Sequence, residues 1–246
     1  LQFSSALPLQ WGKQPGVAAP AYIAAIAFSL FVLGLLLVKG RLKWWLLGGT
    51  LLSLFLSWGK NFGLLTDFMI DYFPLYNKFR AVSSIQVIVE LCAPVLAVMA
   101  LGQIFKPSVG KSKKLKALKM SFVIVVGLGI GLFLIKGAFD FAGLNDSTYQ
   151  KYFGDEVMTM IKRDREAVYI SDTIRSLIYV LLAAMAIWLY LKGRLKQNMV
   201  ILTLSLLVVF DLVGVDQRYV NMKDFDRQRR MNQPFQELPM DKQIAQ

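Results

Sequence analysis

Histidine is missing altogether from the 246 residues, and cysteine occurs once, as Cys92. Without an imidazole the chain lacks the commonest general base, the commonest zinc ligand and the usual proton shuttle near neutral pH. Any chemistry must use carboxylates, lysine, arginine, tyrosine or a borrowed ion. A single cysteine excludes an internal disulfide framework. Cys92 lies in an apolar run, where a small buried side chain is a plainer reading than a reactive thiol. Acidic residues are scarce as well, 16 against 28 lysines and arginines, for a net charge of +12. Leu1 is not an initiator methionine and no signal peptide opens the sequence. We therefore expect part of a longer polypeptide, or a processed form.

Apolar residues are in excess: 56% of the chain, with a mean hydropathy of +0.50, against about 45–50% in soluble domains. They fall into six blocks, roughly 20–38, 42–58, 84–105, 120–136, 176–191 and 198–213. The blocks are apolar all round, with no polar face at period 3.6, as lipid-spanning helices are. Barrel strands would be about half as long and would alternate. Several blocks fall short of the ~20 residues that cross ~30 Å of hydrocarbon. Flanking Trp, Tyr and Lys make up that deficit. The expected fold class is all-α integral membrane, with six transmembrane helices. Residues 1–19 form an extracytoplasmic segment. Residues 20–213 form the transmembrane region, with outer loops 59–83 and 137–175. Residues 214–246 read as a polar extracytoplasmic tail or the start of a soluble domain.

Charge sets the expected orientation. Lys39, Arg41 and Lys43 lie between the first two blocks, six lysines lie over 106–119, and Lys192, Arg194 and Lys196 lie between the last two. These three turns hold twelve cations and no acid, equal to the whole net charge; the other sixteen cations and sixteen acids cancel. They are alternate turns, so six crossings put all three on one side, the cytoplasmic one. Both ends of the chain are then extracytoplasmic. The charge is split over short interhelical turns rather than gathered on one face, so nucleic acid is not an expected partner. Anionic headgroups account for it. An echo joins two of the turns, LLVKGRLK at 36–43 and LYLKGRLK at 189–196. Duplication and convergence on one kind of turn both explain it.

In the second outer connection, Asp155 can cap a helix with Val157, Met160, Ile161 and Val168 on one side. Lys162, Arg163, Asp164, Arg165 and Glu166 occupy much of the other. That spacing suits an amphipathic helix on the membrane surface. Gly127, Gly129 and Gly131 lie inside a spanning block, so close helix packing, not nucleotide binding, is their reading.

The stretch 58–84, WGKNFGLLTDFMIDYFPLYNKFRAVSS, is the one long connection that combines cations, carboxylates and aromatics. Lys60, Lys78 and Arg80 lie near the outer helix ends. Arginine offers a rigid donor fork and lysine a compact charge, so a lipid-linked phosphate at headgroup level is within reach. Anchoring to bulk headgroups, or pairing with Asp67 and Asp71, is the alternative. Asp67 and Asp71, four apart, share a helical face and can bind a cation or supply a base. Glu90 and Asp211 are the ionisable groups well inside the blocks. Such groups cost about 2.5–3.5 kcal/mol to insert and are site candidates by default. Glu90 reads as a structural ion pair or as an ion-handling group, and Asp211 as a residue near the outer interface.

The elements Trp58-Gly-Lys60, PLYNKFR ending at Arg80, and Arg165 followed by Asp172-Thr-Ile-Arg175 resemble the YfhO family of bacterial multi-spanning membrane proteins. The likeness runs through most of the chain. The family resembles GT-C glycosyltransferases, which move a sugar from a polyprenyl-phosphate carrier to an acceptor at the outer face. By that resemblance Lys60, Lys78 and Arg80 hold the carrier phosphate in the bacterial cytoplasmic membrane. The catalytic acid of such enzymes usually lies in the first outer loop, upstream of this sequence, so no catalytic residue is assigned here. The expected function is thus a fragment of a glycosyltransferase-like protein. Its partners would be membrane lipids, a lipid-linked sugar donor and the rest of a longer chain. No metal or cofactor is assigned, although a divalent cation remains open. The alternatives are a transporter or flippase using Glu90, and a non-catalytic envelope scaffold.

Overall fold

A computed structural model describes residues 11–12, 21–78 and 82–219. Arg80, the tail from 220 onward and all of the 1–19 segment except residues 11–12, each invoked above, lie outside the described residues. Seven α-helices follow in order: α1 (Ala25–Leu37), α2 (Leu42–Ser57), α3 (Gly63–Tyr72), α4 (Val87–Phe105), α5 (Lys111–Leu134), α6 (Asp146–Leu191) and α7 (Gln197–Asp216). Short 3-10 turns lie at Gly59–Phe62, Tyr76–Lys78, Val82–Gln86 and Ile135–Ala138. The described residues contain no β-strand, only an isolated bridge between Gly12 and Gly143.

α4, α5, α6 and α7 are long and apolar enough to cross a membrane. No more than 28% of the residues in their most apolar windows are buried inside the protein. The exposed remainder includes Leu91, Val98, Val123, Leu181 and Phe210, an outer surface suited to hydrocarbon rather than water. α1 and α2 are apolar but shorter, at 13 and 16 residues, or about 20 and 24 Å at 1.5 Å per residue.

α1 is apolar all round for a different reason. It is the central helix, packed against α4, α5, α6 and α7. Leu30, Leu33 and Leu37 enter one core cluster while Phe31 and Val32 enter another. Its closest approach is to α4, where a Cβ built on Gly34 would lie 2.7 Å from Leu96 Cγ and 2.8 Å from its carbonyl oxygen. Of the three glycines in the α5 run, only Gly129 meets a neighbour closely, Leu177 of α6; Gly127 and Gly131 face open space.

The three basic turns share one end of the bundle. Leu37, Ile104, Ala117, Leu191 and Val200, each near one of those turns, belong to a single core cluster. Two lysines close helix ends there: Lys43 Nζ donates to Leu35 O at 2.9 Å, and Lys114 Nζ to Lys106 O at 2.8 Å. Each reaches back eight residues to a carbonyl at the end of the preceding helix, where acceptors lack partners. Both copies of the echoed sequence turn at glycine: Gly40 and Gly193 sit at positive φ, 103° and 78°, which glycine adopts freely.

α6 departs from the expected loop-plus-surface-helix arrangement. Its helical course is broken only at Gly154 (φ 81°), so residues 155–191 run as one helix about 55 Å long. The stripe Met158, Ile161 and Arg165 is buried and packs within the protein. The surface helix and the spanning helix are therefore one element.

Candidate functional site

At the end opposite the basic turns, α1, α6 and α7 meet through ionised side chains. Asp211, four turns into α7, is fully buried. Tyr22 Oη donates to its two carboxylate oxygens at 3.0 and 2.9 Å, and the Ala25 backbone N–H donates to Oδ2 at 2.9 Å. Ala25 is the first residue of α1, so Asp211 acts as an N-cap supplied from α7. Its charge meets the positive end of the helix dipole. The N-cap residue offers no cap of its own, since Ala24 has φ 63° and makes no side-chain cap bond; locally only the Tyr22 hydroxyl, at 3.2 Å, also accepts from the Ala25 N–H. A non-glycine residue at positive φ is strained and persists where its surroundings over-determine it.

Arg175 of α6 stands between two carboxylates. Its Nε lies 3.6 Å from Asp211 Oδ1 and its Nη1 lies 3.6 Å from Asp172 Oδ1. Both distances exceed hydrogen-bond range. Its guanidinium lies 5.5 Å from the Tyr22 ring centroid, a cation–π separation. Asp172 is held by Arg218, just past α7, at 2.7 and 2.8 Å. The row Arg218, Asp172, Arg175, Asp211 alternates in sign and ties α6 and α7 to the start of α1.

A second ionic latch lies farther out on α6. Arg165, 1% exposed, forks onto Asp146: Nη1 donates to Oδ2 at 2.8 Å and to Phe141 O at 2.8 Å, and Nη2 donates to Oδ1 at 3.0 Å. Gly143 N–H adds a bond to Asp146 Oδ2 at 2.7 Å. Burial pushes the Asp146 carboxyl up, but Arg165 and the Gly143 amide outweigh it and hold it below the ordinary aspartate range. A Cβ on Gly143 would lie 2.9 Å from both Arg165 Nη2 and Asp146 Oδ1, so a side chain there would push the fork aside. Trp11, Phe139, Phe141 and Tyr169 pack edge-on around this latch, centroids 5.0–6.4 Å apart.

Two clefts flank α6 near these groups. One, about 410 Å³, opens between α1, α5 and α6. Phe28, Leu128 and Leu177 contribute to its apolar wall, and Tyr169, Asp172 and Ser176 bring polar groups to it. The other, about 870 Å³, lies between α6 and α7 and is nearly all apolar.

The residues expected from sequence lie elsewhere. Lys60 and Lys78 are exposed on the 3-10 turns flanking α3, and Asp67 and Asp71 are exposed on α3 itself. Among the described residues no ion pair joins these cations to these acids. Glu90 is exposed on the first turn of α4 and lines neither cleft. Among the described residues no group of three or more potential ligands is placed to hold a metal. Sequence reasoning passed over Tyr22 and used Arg175 as a mark of the family resemblance, not as a site residue. The available signal was Asp211 itself, a charge in an apolar helix that needs a partner. No protein-family model matches the chain, and no curated protein or solved structure is similar to it.

Proposed function

We propose that the chain is a glycosyltransferase-like membrane protein that handles a polyprenyl-phosphate-linked sugar at the outer face of a bacterial cytoplasmic membrane. On this reading all six apolar blocks cross the bilayer and the basic turns face the cytoplasm. The single observation that carries it is the pairing of membrane-level apolar clefts with buried ionised groups at the end away from those turns. An isoprenoid chain fits an apolar wall in the hydrocarbon, and its phosphate needs donors at headgroup depth. The protein's contribution would be orientation of the donor lipid and neutralisation of the leaving phosphate. The catalytic acid expected for such a transfer is not assigned to any residue of this chain.

A photoreactive polyprenyl-phosphate sugar analogue tests the reading in membranes that hold the protein. Crosslinks are expected at residues of the cleft walls, such as Leu128, Leu177 or Leu207. Labelling confined to the outer surface of α2 and α4 would sink the proposal.

A further inference from the structure

The groove between α6 and α7 is walled by residues such as Ile174, Ile178, Leu182, Leu207 and Phe210, and Arg175 is its only charged side chain among the described residues. Arg175 is also the member of the ionic row whose hydrogen bonds are unmade. Its Nε and Nη1 are buried without an acceptor among the described residues. Each carboxylate beside it is served better by another group. Asp211 takes Tyr22 and the Ala25 amide, and Asp172 takes Arg218, whose Nη2 lies 2.7 Å from Oδ1, although that oxygen lacks hydrogen-bond geometry. Two arginines and the positive end of α1 face two aspartates, so the local balance leans positive. An arginine with spare donors at the rim of an apolar groove suits an anionic head on a hydrocarbon tail.

We propose that the α6–α7 groove binds a lipid phosphate, its hydrocarbon chain along Leu182 and Leu207 and its phosphate on Arg175. The inference rests on the lipid-phosphate reading above and moves the phosphate contact from Lys60, Lys78 and Arg80 to α6. Binding requires the guanidinium to turn outward from two carboxylates 3.6 Å away, to neither of which it donates a hydrogen bond; Asp211 keeps Tyr22 and the Ala25 amide, Asp172 keeps Arg218, and the phosphate replaces the lost counter-charge.

The test is binding of farnesyl phosphate to the detergent-solubilised protein, with farnesol and inorganic phosphate as comparison probes. The wild type should prefer farnesyl phosphate to farnesol by about tenfold, the worth of a charge-assisted bond. Arg175→Gln should lower farnesyl phosphate binding to the farnesol level, and Arg175→Lys should restore part of it. Leu182→Trp, which fills the groove, should weaken both prenyl probes. If Arg175→Gln does not fold, Leu182→Trp decides, and unchanged affinity there overturns the proposal. A wild-type preference that survives both variants removes the groove while leaving the lipid-phosphate reading to the cations of 58–84. No preference in the wild type overturns both. Inorganic phosphate competing as well as farnesyl phosphate would mark an anion site with no use for the groove, and also overturns it.

Discussion

Asp211 places a carboxylate inside an apolar helix, at an insertion cost of about 2.5–3.5 kcal/mol. That cost is offset by two donors from outside α7: the Tyr22 hydroxyl, within reach of both carboxylate oxygens, and the Ala25 amide. Asp211→Asn would keep an acceptor but leave Arg175 without one of its two counter-charges, each 3.6 Å away. Thermal unfolding in detergent should show a loss of about 1–3 kcal/mol. Tyr22→Phe should cost less, about 1 kcal/mol, because the Ala25 bond remains; a larger loss than for Asp211→Asn would refute the capping role. Asp146 makes a pH-dependent contribution. Its folded carboxyl titrates below the ordinary value of 3.8. The stabilisation it supplies is therefore fully present above that value and drains away as pH falls below it. Asp146→Asn should flatten this acid limb of the melting-temperature profile, and an unchanged limb would assign it to other carboxylates.

The helices show what periodicity can and cannot reveal. α4 (Val87–Phe105) and α7 (Gln197–Asp216) fall close to their apolar blocks, because an uninterrupted apolar run has no other way to satisfy its backbone in lipid. α5 begins at Lys111, nine residues before its block. Its lysine-rich first turns are good helix formers, with Lys114, Ala117 and Leu118 turned inward. α1 begins later than its block because Ala24 kinks the chain, and the group that fixes that start lies 186 residues away. No local pattern records such a partner. The same holds for Arg175, whose surroundings come from three helices. The α1–α4 contact is open to a direct check. Gly34→Ala would drive a methyl against the Leu96 backbone, which has little room to yield, and should cost about 1–3 kcal/mol. Gly127→Ala, facing open space, should cost nothing measurable, and equal losses would deny that α1 and α4 meet so closely.

For the whole molecule the arrangement is polar in the geometric sense, with basic turns at one end and ion-paired helix ends at the other. In a Cys92→Ser background, cysteine at Lys113 and cysteine at Tyr152 should react with an impermeant maleimide from opposite sides of a sealed vesicle. Reaction from the same side would overturn the proposed six-crossing topology. The cap on α1 also bears on biogenesis. Synthesis delivers α1 well before α7, so the opening amide of the central helix waits for a carboxylate that is translated 186 residues later. A nascent chain halted before α7 carries an unfinished centrepiece, and membrane quality control should recognise and degrade it.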